Sequence, residues 1–316
     1  MSILVLTYEV SSFLAFASAF KRRSCSTQIA ESVAVDDISI VLPCNWNNNS
    51  NDWSKAAAAK LENHGAVALL SPTEEGLVDQ HTCDNANQAA FTRVTELHNR
   101  IESRGGLDPH GIDQPYRFAE IVCRDDGGRR FDVPIPWFGG DGNCDDIGTP
   151  LTSTEKNAFK DLHLAIDEIV KPVMNAMWSQ DSNVDASFVT AAGFLMNKPG
   201  SQAQNWHRDG PNEGFIDCFV PLIDLNESVG PTQIQTKTHT SNTSVEEVNI
   251  NAVTPLLAKG NVLLFDYRTI HRGLGNRSES TTRTLAYAVS RKKEKGSLSI
   301  LGDIHNFPAA LTLEYD

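Results

Sequence analysis

No two cysteines in this chain stand at the spacing of a zinc ribbon or a thioredoxin-type site. The six (Cys25, Cys44, Cys83, Cys123, Cys144, Cys218) are scattered and none forms a CxxC pair. Dispersed thiols fit a reducing compartment, and their even number leaves disulfides open. Positive charge is also scarce. The net charge is −13, with 27 Lys and Arg against 40 Asp and Glu. Nucleic-acid binders carry a basic face that neutralises phosphates, so this balance argues against that class. Two short basic runs, residues 21–23 and 291–295, read as solvated surface or targeting signal. No internal repeat of roughly 20–50 residues is present.

The one long apolar run, residues 3–20, contains Glu9 and is too polar for a stable membrane span. Its end, Ala17-Ser18-Ala19-Phe20, precedes Lys21-Arg22-Arg23. The run resembles a secretory signal. ASAF also resembles the cleavage motif of bipartite plastid-targeting sequences, with residues 21–30 as the Lys/Arg/Ser-rich transit segment. Plastid or secretory targeting from residues 1–30 is one expectation, and a cytoplasmic protein with a buried first element is the other. Residues 1–35 are therefore set apart from the fold. Four Asn-x-Ser/Thr sites begin at Asn48, Asn226, Asn242 and Asn276, and they matter only in the secretory pathway.

What remains is ordinary globular material: 316 residues, 40% hydrophobic and 21% charged, long enough for a real core. Ser54 is placed to cap a helix over residues 55–63, and Gly65 to end it. Residues 66–70 read as a short buried strand. Residues 86–103 read as a helix with Phe91, Val94 and Leu97 on its apolar stripe. Residues 105–148 are rich in Gly, Pro, Asp and Arg, with two expected strands, 118–123 and 131–136. The best helix is 154–178, with Leu162, Ile166, Ile169, Val170, Val173 and Met177 in line. After Asp181, short β-prone runs follow one another: 188–196, 214–223, 232–236, 245–250, 261–265 and 284–290. Close-set short strands without long helices predict a sandwich or jelly roll.

Three residues and an arginine carry chemistry. His207 and Asp209 lie two apart, and on an extended strand both side chains face one way. His271 follows the apolar run 261–265 and precedes a Gly/Asn turn. Two His and one carboxylate on one side of an ion leave open positions, the arrangement of non-haem Fe(II) oxygenases. Arg283 begins an alternating strand (Arg283, Leu285, Tyr287, Val289) whose odd residues would face inward. A guanidinium there suits a carboxylate by paired, charge-assisted hydrogen bonds. Bland roles compete for the neighbours: loop structure for His239, packing for Trp206 and Trp137, and surface or packing for Arg129 and Arg130.

The second half resembles the phytanoyl-CoA dioxygenase-like family of Fe(II)/2-oxoglutarate-dependent oxygenases. The stretches that carry the resemblance are Gln204-Asn-Trp-His-Arg-Asp209, Gly230-Pro-Thr-Gln233 leading to His239, Gly260-Asn-Val-Leu-Leu-Phe-Asp266, and His271-Arg-Gly-Leu-Gly-Asn-Arg-Ser278 followed by Arg283. They span about a third of the chain. The resemblance implies an α+β fold with a mainly β core, a double-stranded β-helix (cupin-like jelly roll) flanked by helices. It implies one oxygenase domain over residues 36–316, with a helical part at 54–180 and a jelly-roll core at about 186–291. It implies Fe(II) on His207, Asp209 and His271, 2-oxoglutarate on Arg283, O2 as oxidant, and a small-molecule substrate. Asp209 favours hydroxylation or another oxidation (desaturation, ring closure) over halogenation, since related halogenases lack that carboxylate. Two departures stand out. Thr236-Lys-Thr-His239 replaces the family's usual Pro-Gly-Ser-His, and Gly273 stands where many members carry a hydroxyl residue. A second co-substrate donor is then expected from Thr281, Thr282 or Thr284. Two other readings remain open: a cupin-type metal dioxygenase that does not use 2-oxoglutarate, and a non-catalytic jelly-roll binding module that has kept a metal. Oligomeric state is not legible.

Overall fold

The computed structural model describes residues 35–44, 46, 52–104, 108–109, 115–118, 120–125, 127–140, 150–179, 186–241, 245 and 252–293, and the backbone of 311–312. All fall in one compact unit, Ser32–Asp316. The targeting reading of the N-terminus, the sites at Asn48 and Asn242, and most of the expected strand 245–250 lie outside the described residues. No helix among those described is long and apolar enough to cross a membrane.

Helices come first. After α1 (Val35–Ile38) and β1 (Ser39–Val41), helix α2 runs Asp52–His64, so Ser54 sits buried in its first turn rather than capping it. Gly65 ends it as expected: its φ is +76°, and its N–H bonds Leu61 O at 2.8 Å. A Cβ on Gly65 would lie 2.5 Å from His239 Nδ1, so no side chain fits there. Strand β2 follows at Ala66–Leu70. Helix α3 (Gln80–Ser103) starts earlier than expected because Asp79 accepts from Thr82 N and caps it. Phe91 is 37% exposed; the buried stripe is Cys83, Ala86, Ala90, Val94, Leu97 and Ile101. The expected strand 118–123 is instead a hairpin of β3 (Tyr116–Phe118) and β4 (Ile121–Cys123), followed by β5 (Arg130–Pro134).

Helix α4 (Ser153–Trp178) opens with a capping box between Thr152 and Glu155 and continues through Pro172. An interior proline costs about 3 kcal/mol. Burying Leu162, Ile166, Ile169 and Val173 against the sheet returns roughly 6–12 kcal/mol in all, which outweighs it.

The remaining strands are β6 (Ser187–Asn197), β7 (Phe215–Pro221), β8 (Thr232–Gln235), β9 (Ala252–Val253), β10 (Val262–Asp266), β11 (His271–Gly273), β12 (Arg283–Lys292) and β13 (Leu311–Thr312). The large sheet runs β1-β2-β10-β7-β12-β6-β5-β4-β3-β13, and the small one β11-β8-β9. The fold is the expected α+β, mainly β, jelly roll. Alternation decides what each face of the large sheet meets. One face sends Val67, Ile216, Cys218, Val220, Val262, Leu264, Ala286 and Ala288 against α2 and α4. The other sends Ala66, Ala68, Leu263, Phe265 and Leu285 toward Ile234 and Val253 of the small sheet. This second face is the barrel interior. Leu195, Phe219 and Tyr287 lie on it in mid-strand, yet each is only partly buried, so the interior beside them is open.

Candidate active site

Registry puts polar residues on this inner face at two levels. At one level, Arg130 of β5 pairs with Asn197 of β6, and Asn197 pairs with Arg283 of β12. Directly paired residues share a face, so the three side chains form a row across three strands. At another level, Asp217 of β7 lies opposite Phe265 and Val289.

The expected ligands His207, Asp209 and His271 come together where the two sheets approach. His207 is not on a regular strand as expected. It makes an isolated antiparallel bridge to His271, with His207 N to His271 O at 3.0 Å and His271 N to His207 O at 2.9 Å. His271 opens β11, in the small sheet. Asp209 lies in the bend after His207, its N–H bonded to Tyr267 O at 3.2 Å. A hydrogen-bonded antiparallel pair turns both side chains the same way. The imidazole centroids are accordingly 4.4 Å apart, and one ligand atom from each of His207, Asp209 and His271 falls within 4.8 Å of the others.

The tautomers decide what this cluster can hold. His207 Nδ1 lies 2.9 Å from Asn205 O, and His271 Nδ1 lies 3.0 Å from Thr269 O. A carbonyl only accepts, so each Nδ1 carries a proton and, in the neutral ring, each Nε2 keeps its lone pair for an ion. Both Nε2 atoms face the Asp209 carboxylate, at 3.9 Å and 3.4 Å. Burial and the neighbouring His271 lower the pKa of His207, which keeps that ring neutral at physiological pH. Two lone pairs turned on one carboxylate repel each other unless a cation sits between them. Nitrogen and oxygen donors in a 2-His-1-carboxylate set suit ferrous iron.

Around the triad, Trp206 lies under Arg272, whose Cζ is 4.3 Å from the ring centroid. His239 bonds Glu62 O at 2.9 Å and ties α2 to the small sheet, a structural role. Trp137 is buried and stacks on His163, with centroids 4.5 Å apart. Arg129 and Arg277 are exposed, and Asn226 is exposed in a turn. Asn276 is buried, its amide donating to Asn197 O and Thr281 O, which closes it to glycosylation in the folded chain.

Arg283 is fully buried and faces the interior as expected. It donates to Gly230 O and, with the Asn197 amide turned to satisfy its neighbours, to Asn197 Oδ1 at 2.9 Å. Burial, and then Arg130, push its pKa down to about 9. Of the expected donors Thr281, Thr282 and Thr284, two do not face this row. Thr284 points to the opposite face, and Thr281 is exposed. The space beside Gly273 holds Arg130 instead: a Cβ on Gly273 would lie 2.6 Å from Arg130 Nη1.

Residues 129–285 match the phytanoyl-CoA dioxygenase (PhyH) family. This domain belongs to that family. The match begins beside Arg130 and ends just past Arg283, with the whole triad inside it. Enzymes of that family are non-haem iron oxygenases that use Fe(II) and 2-oxoglutarate. Dioxygenase hkm4 of Aspergillus hancockii is 29% identical over 119 residues, 33% of this chain and 38% of that protein. The match thus spans little more than a third of that relative. Among solved structures, AviO1 from Streptomyces viridochromogenes Tue57 shares the fold with a TM-score of 0.51 and 15% identity, over 78% of this chain and 97% of that one. EvdMO1 does so with a TM-score of 0.50 and 13% identity, over 76% and 50%.

Two residues of the PhyH domain's interior escaped the sequence reading. Arg130 was set down to surface or packing, and Asp217 was not singled out. The signal for Asp217 was a lone acid in the apolar run FIDCFVP. It is buried against the Asp209 carboxylate, and burial, then Asp209, raise its pKa well above the ordinary carboxylate value. The folded state therefore binds a proton here that the unfolded chain releases, and stability falls as pH rises above about 4. Asp217→Asn keeps a donor toward Asp209 without the titration. Its melting temperature, measured by calorimetry on iron-free protein, is expected to gain on the parent progressively from pH 4 to neutrality. A gain independent of pH would contradict this account.

Proposed function

We propose that this enzyme oxidises a small-molecule metabolite, hydroxylation being the favoured outcome, with 2-oxoglutarate converted to succinate and CO2. His207, Asp209 and His271 would hold Fe(II), and Arg283 would pair with the distal carboxylate of 2-oxoglutarate. Residues 36–316 act as one oxygenase domain in this reading. The observation that carries it is the pair of imidazoles, each with Nδ1–H committed to a backbone carbonyl and Nε2 turned on the Asp209 carboxylate. When bound, iron with 2-oxoglutarate supplies the oxidising power from O2.

The chain's own residues do the rest. The backbone carbonyls of Asn205 and Thr269 fix the two rings. Asp209 supplies the charge that a divalent ion requires and occupies the position a halide would need, which favours oxygenation over halogenation. The buried ring of Phe265, its centroid 4.7 Å from that of His271, would limit water on that side of the ion. The dioxygenase activity named for the Aspergillus relative agrees with this chemistry.

The test is succinate formation from 2-oxoglutarate by protein reconstituted anaerobically with Fe(II) and then given O2, over long incubation with a metabolite pool. Succinate from the parent and none from Arg283→Ala is the expected result. An iron-loaded parent that consumes O2 without forming succinate would overturn the 2-oxoglutarate assignment, and a chlorinated product would overturn the oxygenation outcome.

A further inference from the structure

Arg130 and Arg283 are 3% and 1% exposed, stand in one cross-strand row, and share Asn197 Oδ1 at 2.8 Å and 2.9 Å. Among the described residues, neither makes an ion pair with a carboxylate. The other acceptors of Arg130 are neutral: Gln202 O at 2.7 Å, Leu274 O at 3.1 Å and Gln204 Oε1 at 3.4 Å. Asp125 is the acid nearest in charge to Arg130, but its Oδ1 is held by the main-chain N–H groups of Arg129 and Arg130. The Nε atoms of both arginines are buried and make no hydrogen bond. Two like charges in a dry interior with no carboxylate paired to either guanidinium carry a desolvation cost, which an anion bound beside them offsets.

The position of Arg130 shows which anion. Its guanidinium, together with Gln204 Oε1, fills the space a side chain at Gly273 would take. Gly273 shares a strand face with His271 two residues away, about 6.5 Å along the strand. That is roughly the span of a five-carbon dicarboxylate chelated to the ion at one end.

We propose that Arg130 is a second cation for the distal carboxylate of the co-substrate, acting with Arg283 where a hydroxyl at position 273 would otherwise donate. The proposal rests on the 2-oxoglutarate reading above. The pocket then sets two positive charges against one carboxylate and selects dicarboxylic over monocarboxylic 2-oxo acids by charge. Arg130 contributes chiefly its field and its Nε–H, because its four Nη protons are engaged by carbonyl groups.

The experiment measures binding rather than turnover. Anaerobic protein loaded with Mn(II) is titrated calorimetrically with 2-oxoglutarate and, separately, with 2-oxopentanoate, which lacks the distal carboxylate. The parent, Arg130→Gln and Arg283→Gln are compared, each checked by melting temperature. Arg130→Gln is expected to weaken 2-oxoglutarate about 10- to 100-fold while leaving 2-oxopentanoate within about twofold. A purely structural arginine would weaken both equally or neither, and either result overturns the proposal. Should Arg130→Gln fail to fold, Arg130→Gln with Gly273→Ser restores a neutral donor in the vacated space. That pair is expected to bind 2-oxoglutarate again but with lower preference over 2-oxopentanoate than the parent, and an unchanged preference overturns the proposal. A parent that binds 2-oxopentanoate as well as 2-oxoglutarate overturns the charge selection with it. If the parent binds 2-oxoglutarate and only Arg283→Gln is impaired, the co-substrate reading stands and the Arg130 proposal falls. A parent that binds no 2-oxoglutarate sinks both.

Discussion

His207→Ala is expected to bind Fe(II) at least about 100-fold more weakly than the parent and to form no succinate above background. The floor of that range is what losing only a supporting partner of a metal ligand costs, and His207 is placed as a ligand itself. The fold should survive. His207 is partly exposed, its main-chain bridge to His271 does not use the side chain, and the Asn205 carbonyl left without its donor can turn to water. Equilibrium dialysis of Fe(II) with a melting curve separates the two effects. A variant that melts like the parent and still holds one iron per chain would remove His207 from the ligand set.

Arg283→Met should raise the apparent KM for 2-oxoglutarate by about 100- to 1000-fold. Two charge-assisted hydrogen bonds are worth roughly 3–4 kcal/mol together, and each 1.4 kcal/mol is tenfold. The same substitution has an opposite effect on the empty protein. Arg283 is buried beside Arg130 without a carboxylate partner, so replacing it with an apolar side chain of similar length relieves a like-charge repulsion. The iron-free, co-substrate-free variant is therefore expected to melt no lower than the parent. Raised KM with a clearly lowered melting temperature would mean that Arg283 is first a structural residue.

The clustering of His207, Asp209 and His271, the inward face of Arg283 and the short strands of the core were legible because each rests on short-range patterns, whereas the order of the strands in the sheets rests on distant pairings and was not. A two-residue step puts His207 and Asp209 together, and alternation in Arg283, Leu285, Tyr287 and Val289 faces the arginine inward. The strand 66–70 was plain from its apolar run and from Gly65. The misreadings have physical causes. Asp79, beyond the apolar stripe, caps α3 and extends it past the expected start. Phe91 has helical spacing but faces solvent, because the small residues Ala86 and Ala90 take the packed side. Arg130 could not be assigned from its neighbourhood in sequence. Its meaning comes from pairing with Asn197 and from the absent side chain at Gly273, both far away along the chain. Gly273 stands out in sequence as a missing donor, but only the folded chain shows that the Arg130 guanidinium lies in the space a side chain there would take.

The reciprocal main-chain hydrogen bonds of His207 and His271 join the loop after β6 to the small sheet. An ion gripped by the side chains of that same pair rivets shut the seam that their backbones form. Metal loading therefore becomes readable in two amide protons. With iron bound, those of His207 and His271 exchange only when the whole domain unfolds, whereas after chelation they exchange through local opening of the seam, ahead of those in β6, β7 and β12.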